Sequence, residues 1–84
     1  MPKLRLLSSD ETIKALAKLG FTLKKKKRGS HASYVRRTDE RSFVVTVVLD
    51  RKEISRGTLD SIIRGSGVDA ELFIDLATTS RKAP

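Results

Sequence analysis

Between Ser42 and Leu49 the chain reads Ser-Phe-Val-Val-Thr-Val-Val-Leu, eight residues without a charge, a glycine or a proline. β-Branched side chains are stiff at χ1 and pack well on a pleated surface, so this run is expected to be a strand. Its density of apolar residues is the pattern of a central or well-covered strand. A chain of 84 residues must build the rest of its fold around it. At that length there is apolar surface for one core and none for a second, which makes residues 1–84 one expected domain. A large enclosed pocket is not expected, and the working surface should be an open face or groove.

The other elements follow from spacing. Ser8-Ser9-Asp10-Glu11 has the form of a capping box, and Ile13, Leu16 and Ala17 recur at helical intervals before Gly20, which predicts a first helix over roughly residues 9–19. Phe21 and Leu23 alternate with Thr22 and Lys24 and give way to a cationic strand end, then to Gly29-Ser30, a pair suited to a reversal. His31 to Arg37 contains the strand formers Tyr34 and Val35, and Arg37-Thr38-Asp39-Glu40-Arg41 is polar enough to turn. After the Val-rich strand, Ser55 or Thr58 can cap a helix carrying Leu59, Ile62 and Ile63, which Gly65-Ser66-Gly67 should interrupt. A further start at Val68-Asp69-Ala70-Glu71 leads into Leu72, Phe73, Leu76 and Ala77, ahead of a polar tail over residues 78–84. The expected class is α+β in the order α-β-β-β-α, its last helical region split, with helices on one face of a three-stranded antiparallel sheet.

Charge narrows the function. Eighteen Lys and Arg oppose ten Asp and Glu, for a formal net charge of +8. Eight of the cations (Lys24, Lys25, Lys26, Lys27, Arg28, Arg36, Arg37 and Arg41) fall between positions 24 and 41, against only Asp39 and Glu40, so this stretch carries +6. Such a block favours a polyanion such as nucleic acid over an acidic small molecule. Cysteine is absent, which excludes disulfides and zinc–thiolate sites. No carboxylate–histidine cluster resembles a metal site, so neither a metal nor a small-molecule cofactor is expected. The start of the chain interrupts its short apolar run with charges, unlike a signal peptide or membrane span, and a soluble cytoplasmic protein without membrane partners is expected.

Four segments in this order resemble the HicA toxin family. They are the Ser-capped helix ending in Gly20-Phe21, Gly29-Ser30-His31 at the opening of a strand, the Val-rich strand, and Lys52-Glu53-Ile54-Ser55-Arg56-Gly57-Thr58-Leu59 before Ser61-Ile62-Ile63-Arg64. The resemblance covers about residues 7–77. It implies a fold similar to double-stranded-RNA-binding domains, ribonuclease activity on messenger RNA, and neutralisation by a HicB-type antitoxin. It also implies that His31, the histidine of Gly-Ser-His, is catalytic. Two departures stand out: the basic run before Gly29 is about one residue longer than usual, as a bulge would require, and Leu49-Asp50-Arg51 lacks the second histidine many members carry.

The residues themselves support that chemistry. RNA carries its own nucleophile, and an imidazole titrating near neutrality can take the proton of a 2′-hydroxyl. Lys24, Lys26, Lys27 and Arg28, with Lys52 further on, are the candidate phosphate-binding cations, able to stabilise the negative charge that gathers on phosphate oxygens in the transition state. Gly29 permits close backbone approach and Ser30 can donate a hydrogen bond. Lys27 and Arg28, if near His31, favour its neutral form by like-charge repulsion. No second histidine offers a general acid, which leaves Tyr34 or a lysine. Against this stand plainer readings: Tyr34 and Phe43 as core residues rather than base-stacking platforms, Lys52 and Glu53 as a surface pair, and the whole chain as a non-catalytic RNA-binding module.

Overall fold

The computed structural model describes residues 6–26 and 31–78, with the backbone alone at 25 and 26. The elements run α1 (Ser9–Lys18), β1 (Thr22–Lys26), β2 (His31–Arg37), β3 (Ser42–Val48), α2 (Arg56–Ser66) and α3 (Ala70–Thr78). This is the expected α-β-β-β-α order with the final helical region divided in two. The capping box forms at the start of α1: the Ser8 hydroxyl accepts the Glu11 amide at 3.1 Å, and the Glu11 carboxylate accepts the Ser8 amide at 3.0 Å. Gly20, at φ +96°, ends the helix and sends Phe21 into the core.

The three strands form an antiparallel sheet in the order β1-β2-β3. The Val-rich strand is therefore an edge, and β2 holds the centre. Two successive reversals place the middle strand in the middle, whatever its composition. The apolar density of β3 reflects what covers it: Val45 and Val47 are buried on the helix side, while Val44 is 51% exposed and Thr46 is exposed on the other. Propensity reports a pleated, half-buried surface and does not count neighbours.

Alternation and register sort the two faces. Ala32, Tyr34 and Arg36 pair with Val47, Val45 and Phe43 and look toward the helices, whereas His31, Ser33, Val35 and Arg37 pair with Val48, Thr46, Val44 and Ser42 on the open face. Between Leu23 and Lys25 the β1–β2 register shifts. The shift is a bulge around Lys24, at the start of the basic run.

Leu7, Leu16, Val47, Leu59 and Phe73 are fully buried and bring α1, β3, α2 and α3 together. Each such side chain contributes about 1.5–3 kcal/mol relative to exposure. α2 lies close on β3: a Cβ at Gly65 would stand 3.4 Å from Val45 Cγ2 and 3.5 Å from the Val44 carbonyl. The helix runs on through Gly65 and Ser66 and stops only at Gly67, whose φ is +82°. The expected interruption thus lies at its last glycine, because a lone Gly costs a helix only about 1 kcal/mol.

The segment after β3 is stitched to the start of α1. Ser9 donates its hydroxyl to the Val48 carbonyl at 2.6 Å and accepts the Arg51 amide at 2.9 Å. Backbone bonds add Ser9 N–H to the Arg51 carbonyl (2.9 Å) and Ile54 N–H to the Leu7 carbonyl (2.8 Å). Asp50 makes the reversal at φ +57°, a conformation that Asp tolerates better than most residues.

Candidate nucleic-acid interface

His31 is the first residue of β2, exposed, and opposite Val48 across the sheet. Its position follows from the period of two that buries Ala32 and turns His31 to the open face. Lys24 is exposed in the bulge, two to three residues along the neighbouring strand from His31, or about 7–10 Å of strand rise. Lys26 pairs by its backbone with Ala32, next to His31. Lys27, Arg28, Gly29 and Ser30, named above as cationic or shaping residues, lie outside the described residues.

On the other side of His31, a shallow cleft of about 280 Å³ begins at Val48 and is lined by Arg51, Glu53, Ile54, Ser55 and Thr58. A second, of about 330 Å³, shares Arg51 and includes Ser8, Ser9, Asp50 and Lys52. Lys52 is exposed in this loop, as its candidacy requires, and Arg51 beside it is exposed too. Ser55 precedes α2 but does not cap it by its side chain; its hydroxyl bonds that of Thr58 at 3.0 Å. Two hydroxyls, a guanidinium and the Glu53 carboxylate thus line a recess that starts at the residue facing His31. In the sequence Ser55 and Thr58 read as helix caps, and Arg51 by itself carries no signal of a binding role. The signal for all three was their place just after the strand residue that pairs with His31, and it becomes readable only once the register is known.

The remaining arginines of the cationic stretch do not converge on His31. Arg36 lies on the helix face, five residues away along β2 or about 17 Å. Its guanidinium sits 4.7 Å from the Phe43 ring centre and 5.6 Å from that of Phe21, with Nη2 donating to the Ser66 carbonyl at 3.5 Å. Arg41 approaches the same Phe43 ring at 5.6 Å. These contacts make Arg36 a structural cation. Tyr34 and Phe43 are partly buried against the core, so neither ring is offered to the open face. Tyr34 is also on the wrong face to protonate a leaving group beside His31.

Residues 9–68, more than half of the chain, match the family model described as the HicA toxin of bacterial toxin–antitoxin systems. The chain belongs to the HicA toxin family. The match opens at the first residue of α1 and closes just past Gly67, so it takes in α1, the whole sheet and α2 and leaves α3 outside. As a HicA-family toxin, the chain is one half of a toxin–antitoxin pair, which implies an antitoxin partner. No curated protein sequence matches it significantly. Among the described residues, no helix is long and apolar enough to cross a membrane, and no group of three His, Asp or Glu side chains could hold a metal ion.

Proposed function

We propose that this HicA-family chain is a metal-independent endoribonuclease that cleaves messenger RNA in the cytoplasm, with His31 as general base, and that a HicB-type antitoxin inhibits it. The observation that carries the reading is the exposure of His31 on the open face, between the lysine-bearing β1 and the cleft that begins at Val48. His31 takes the proton of a ribose 2′-hydroxyl, the oxygen attacks the adjacent phosphorus, and the bond to the 5′-oxygen breaks. The products are a 2′,3′-cyclic phosphate and a 5′-hydroxyl, the latter protonated by water or by a lysine of the cationic run. Lys24 and Lys52 are exposed on the two sides of His31 and hold the phosphates; Lys26, Lys27, Arg28, Gly29 and Ser30 are the further candidates for that role. Negative charge developing on the phosphorane is stabilised by these cations more than that of the ground state.

His31→Ala tests this directly. A positioned general base contributes about 10²–10⁴-fold, so cleavage should fall by that factor while RNA affinity stays close to wild type. Cleavage should survive excess EDTA and yield cyclic phosphate ends. Abolition by EDTA would reject the metal-free chemistry. If the wild-type chain binds RNA without cutting it, and His31→Ala changes nothing, the protein is an RNA-binding module instead.

A further inference from the structure

Of the sheet's two edges, one carries the features that keep edges from pairing and the other does not. β1 ends in Lys24-Lys25-Lys26 and breaks register between Leu23 and Lys25; lysines and bulges are both devices that discourage an added strand. β3 has neither. From Ser42 to Val48 it contains no charge, proline or glycine, and it pairs with β2 residue for residue over its whole length.

Short of Val48, the outer side of β3 has no hydrogen-bond partner among the described residues. Its last carbonyl, at Val48, is taken by the Ser9 hydroxyl, which closes that end and marks Val48 as facing outward. Backbone groups alternate in direction along a strand, so Val44 and Thr46 share that outward side. Among the described residues, Ser42 to Val47 make no backbone hydrogen bond except to β2. Val44, 51% exposed, and Thr46, exposed, stand beside the vacant edge on the open face. The helix side is occupied, since α2 rests on Val45 and Val47 there.

We propose that an extended segment of an acidic antitoxin adds to β3 as a fourth strand. Main-chain bonding at an open edge gives affinity, and alternate side chains give selectivity. Charge decides between the candidate occupants. A second copy would set +8 against +8, whereas an acidic chain is drawn in by the same field. The edge is itself uncharged and is flanked by exposed residues of both signs, Arg41 beside Asp39 and Glu40 at one end and Arg51 and Lys52 beside Asp50 and Glu53 at the other, so it is the net charge of +8 that favours an acidic strand. Strands lie about 4.8 Å apart, so a strand on β3 runs beside Val48, the residue facing His31, and the body behind it stands over the open face. Only this last consequence rests on the nuclease reading; strand addition does not.

The test is amide hydrogen exchange on the full chain, free and in complex with its cognate antitoxin. The Val44 and Thr46 amides should exchange at least tenfold more slowly in the complex. The doubly substituted Val44→Lys, Thr46→Lys chain should bind the antitoxin at least tenfold more weakly, with its circular dichroism and RNA cleavage retained; Val44→Lys alone serves if the double variant fails to fold. Unchanged exchange at Val44 and Thr46 in the complex would overturn the proposal. So would protection of these amides in the free chain that grows with its concentration, which would assign the edge to a second copy. His31→Ala should show the same strand protection as wild type, so a failure of the nuclease reading is told apart from a failure of this one.

Discussion

Replacing Gly67 by alanine should destabilise the fold far more than the same replacement ten residues earlier in the same helix. Gly67 follows the last turn of α2 at φ +82°, where an L side chain is strained by about 1–2 kcal/mol. The added methyl would also meet the Phe43 ring, 2.6 Å from Cε2 and 3.2 Å from Cδ2 and Cζ. That ring is not free to swing away, because Arg36 and Arg41 both stack on it. Displacing it adds an overpacking cost of about 1–3 kcal/mol, for a total of about 2–5 kcal/mol. Gly57 is the control: it lies in the first turn of α2 with nothing within 4 Å of a prospective Cβ. There alanine should gain about 0.5 kcal/mol from a less flexible unfolded chain and better helix propensity. Urea denaturation followed by circular dichroism reads both. At an m-value of about 1 kcal/mol per molar, Gly67→Ala should lower the midpoint by about 2 M or more, while Gly57→Ala should leave it level or slightly raised. If Gly67→Ala remains within about 0.5 kcal/mol of wild type, the close packing of α2's end on Phe43 is wrong.

Two other perturbations probe the end of the sheet that holds His31. Ser9→Ala removes the 2.6 Å bond to the Val48 carbonyl and the 2.9 Å bond from the Arg51 amide at a site only 2% exposed; it should cost about 1–3 kcal/mol in urea titration, and a loss under about 0.5 kcal/mol would show that water replaces the hydroxyl freely. Lys52→Ala should leave stability unchanged, because the side chain is exposed, yet weaken RNA binding and reduce the salt dependence of affinity by close to one counterion. An unaltered salt slope would remove Lys52 from the phosphate contacts and favour its reading as an ordinary surface residue.

Much of this architecture is legible before any coordinates. The capping box at Ser8 and Glu11, the stops at Gly20 and Gly67 and the strand at Ser42–Val48 are local signals, set by a few neighbouring residues and their backbone preferences. What composition leaves open is the rank of β3 within the sheet, central or merely well covered. A run of valines tells of one buried face and strand propensity, and only the order of connections tells which strand is flanked on both sides. Arg36 illustrates the same limit for the site. In the sequence it is one more cation of a basic stretch; in the fold, alternation turns it to the helix face and two phenylalanines hold it there.

That division of the cations bears on how so small a chain can combine a core with a polyanion surface. The sheet has a single face to bury, and α1, α2 and α3 bury it; everything polar on the strands must then go to the opposite face, to the edges or to the ends. Arg36 and Arg41 are held at one end of the sheet, on the Phe43 ring. Lys24, Arg51 and Lys52 lie around the other, where β2 begins with His31 and β3 runs into the loop anchored by Ser9. The net charge of +8 is therefore a poor guide to where RNA would lie. A better one is which strand and loop cations no ring has already engaged, and by that measure Lys24, Arg51 and Lys52 at the His31 end of the sheet outweigh Arg37 at the end near Phe43.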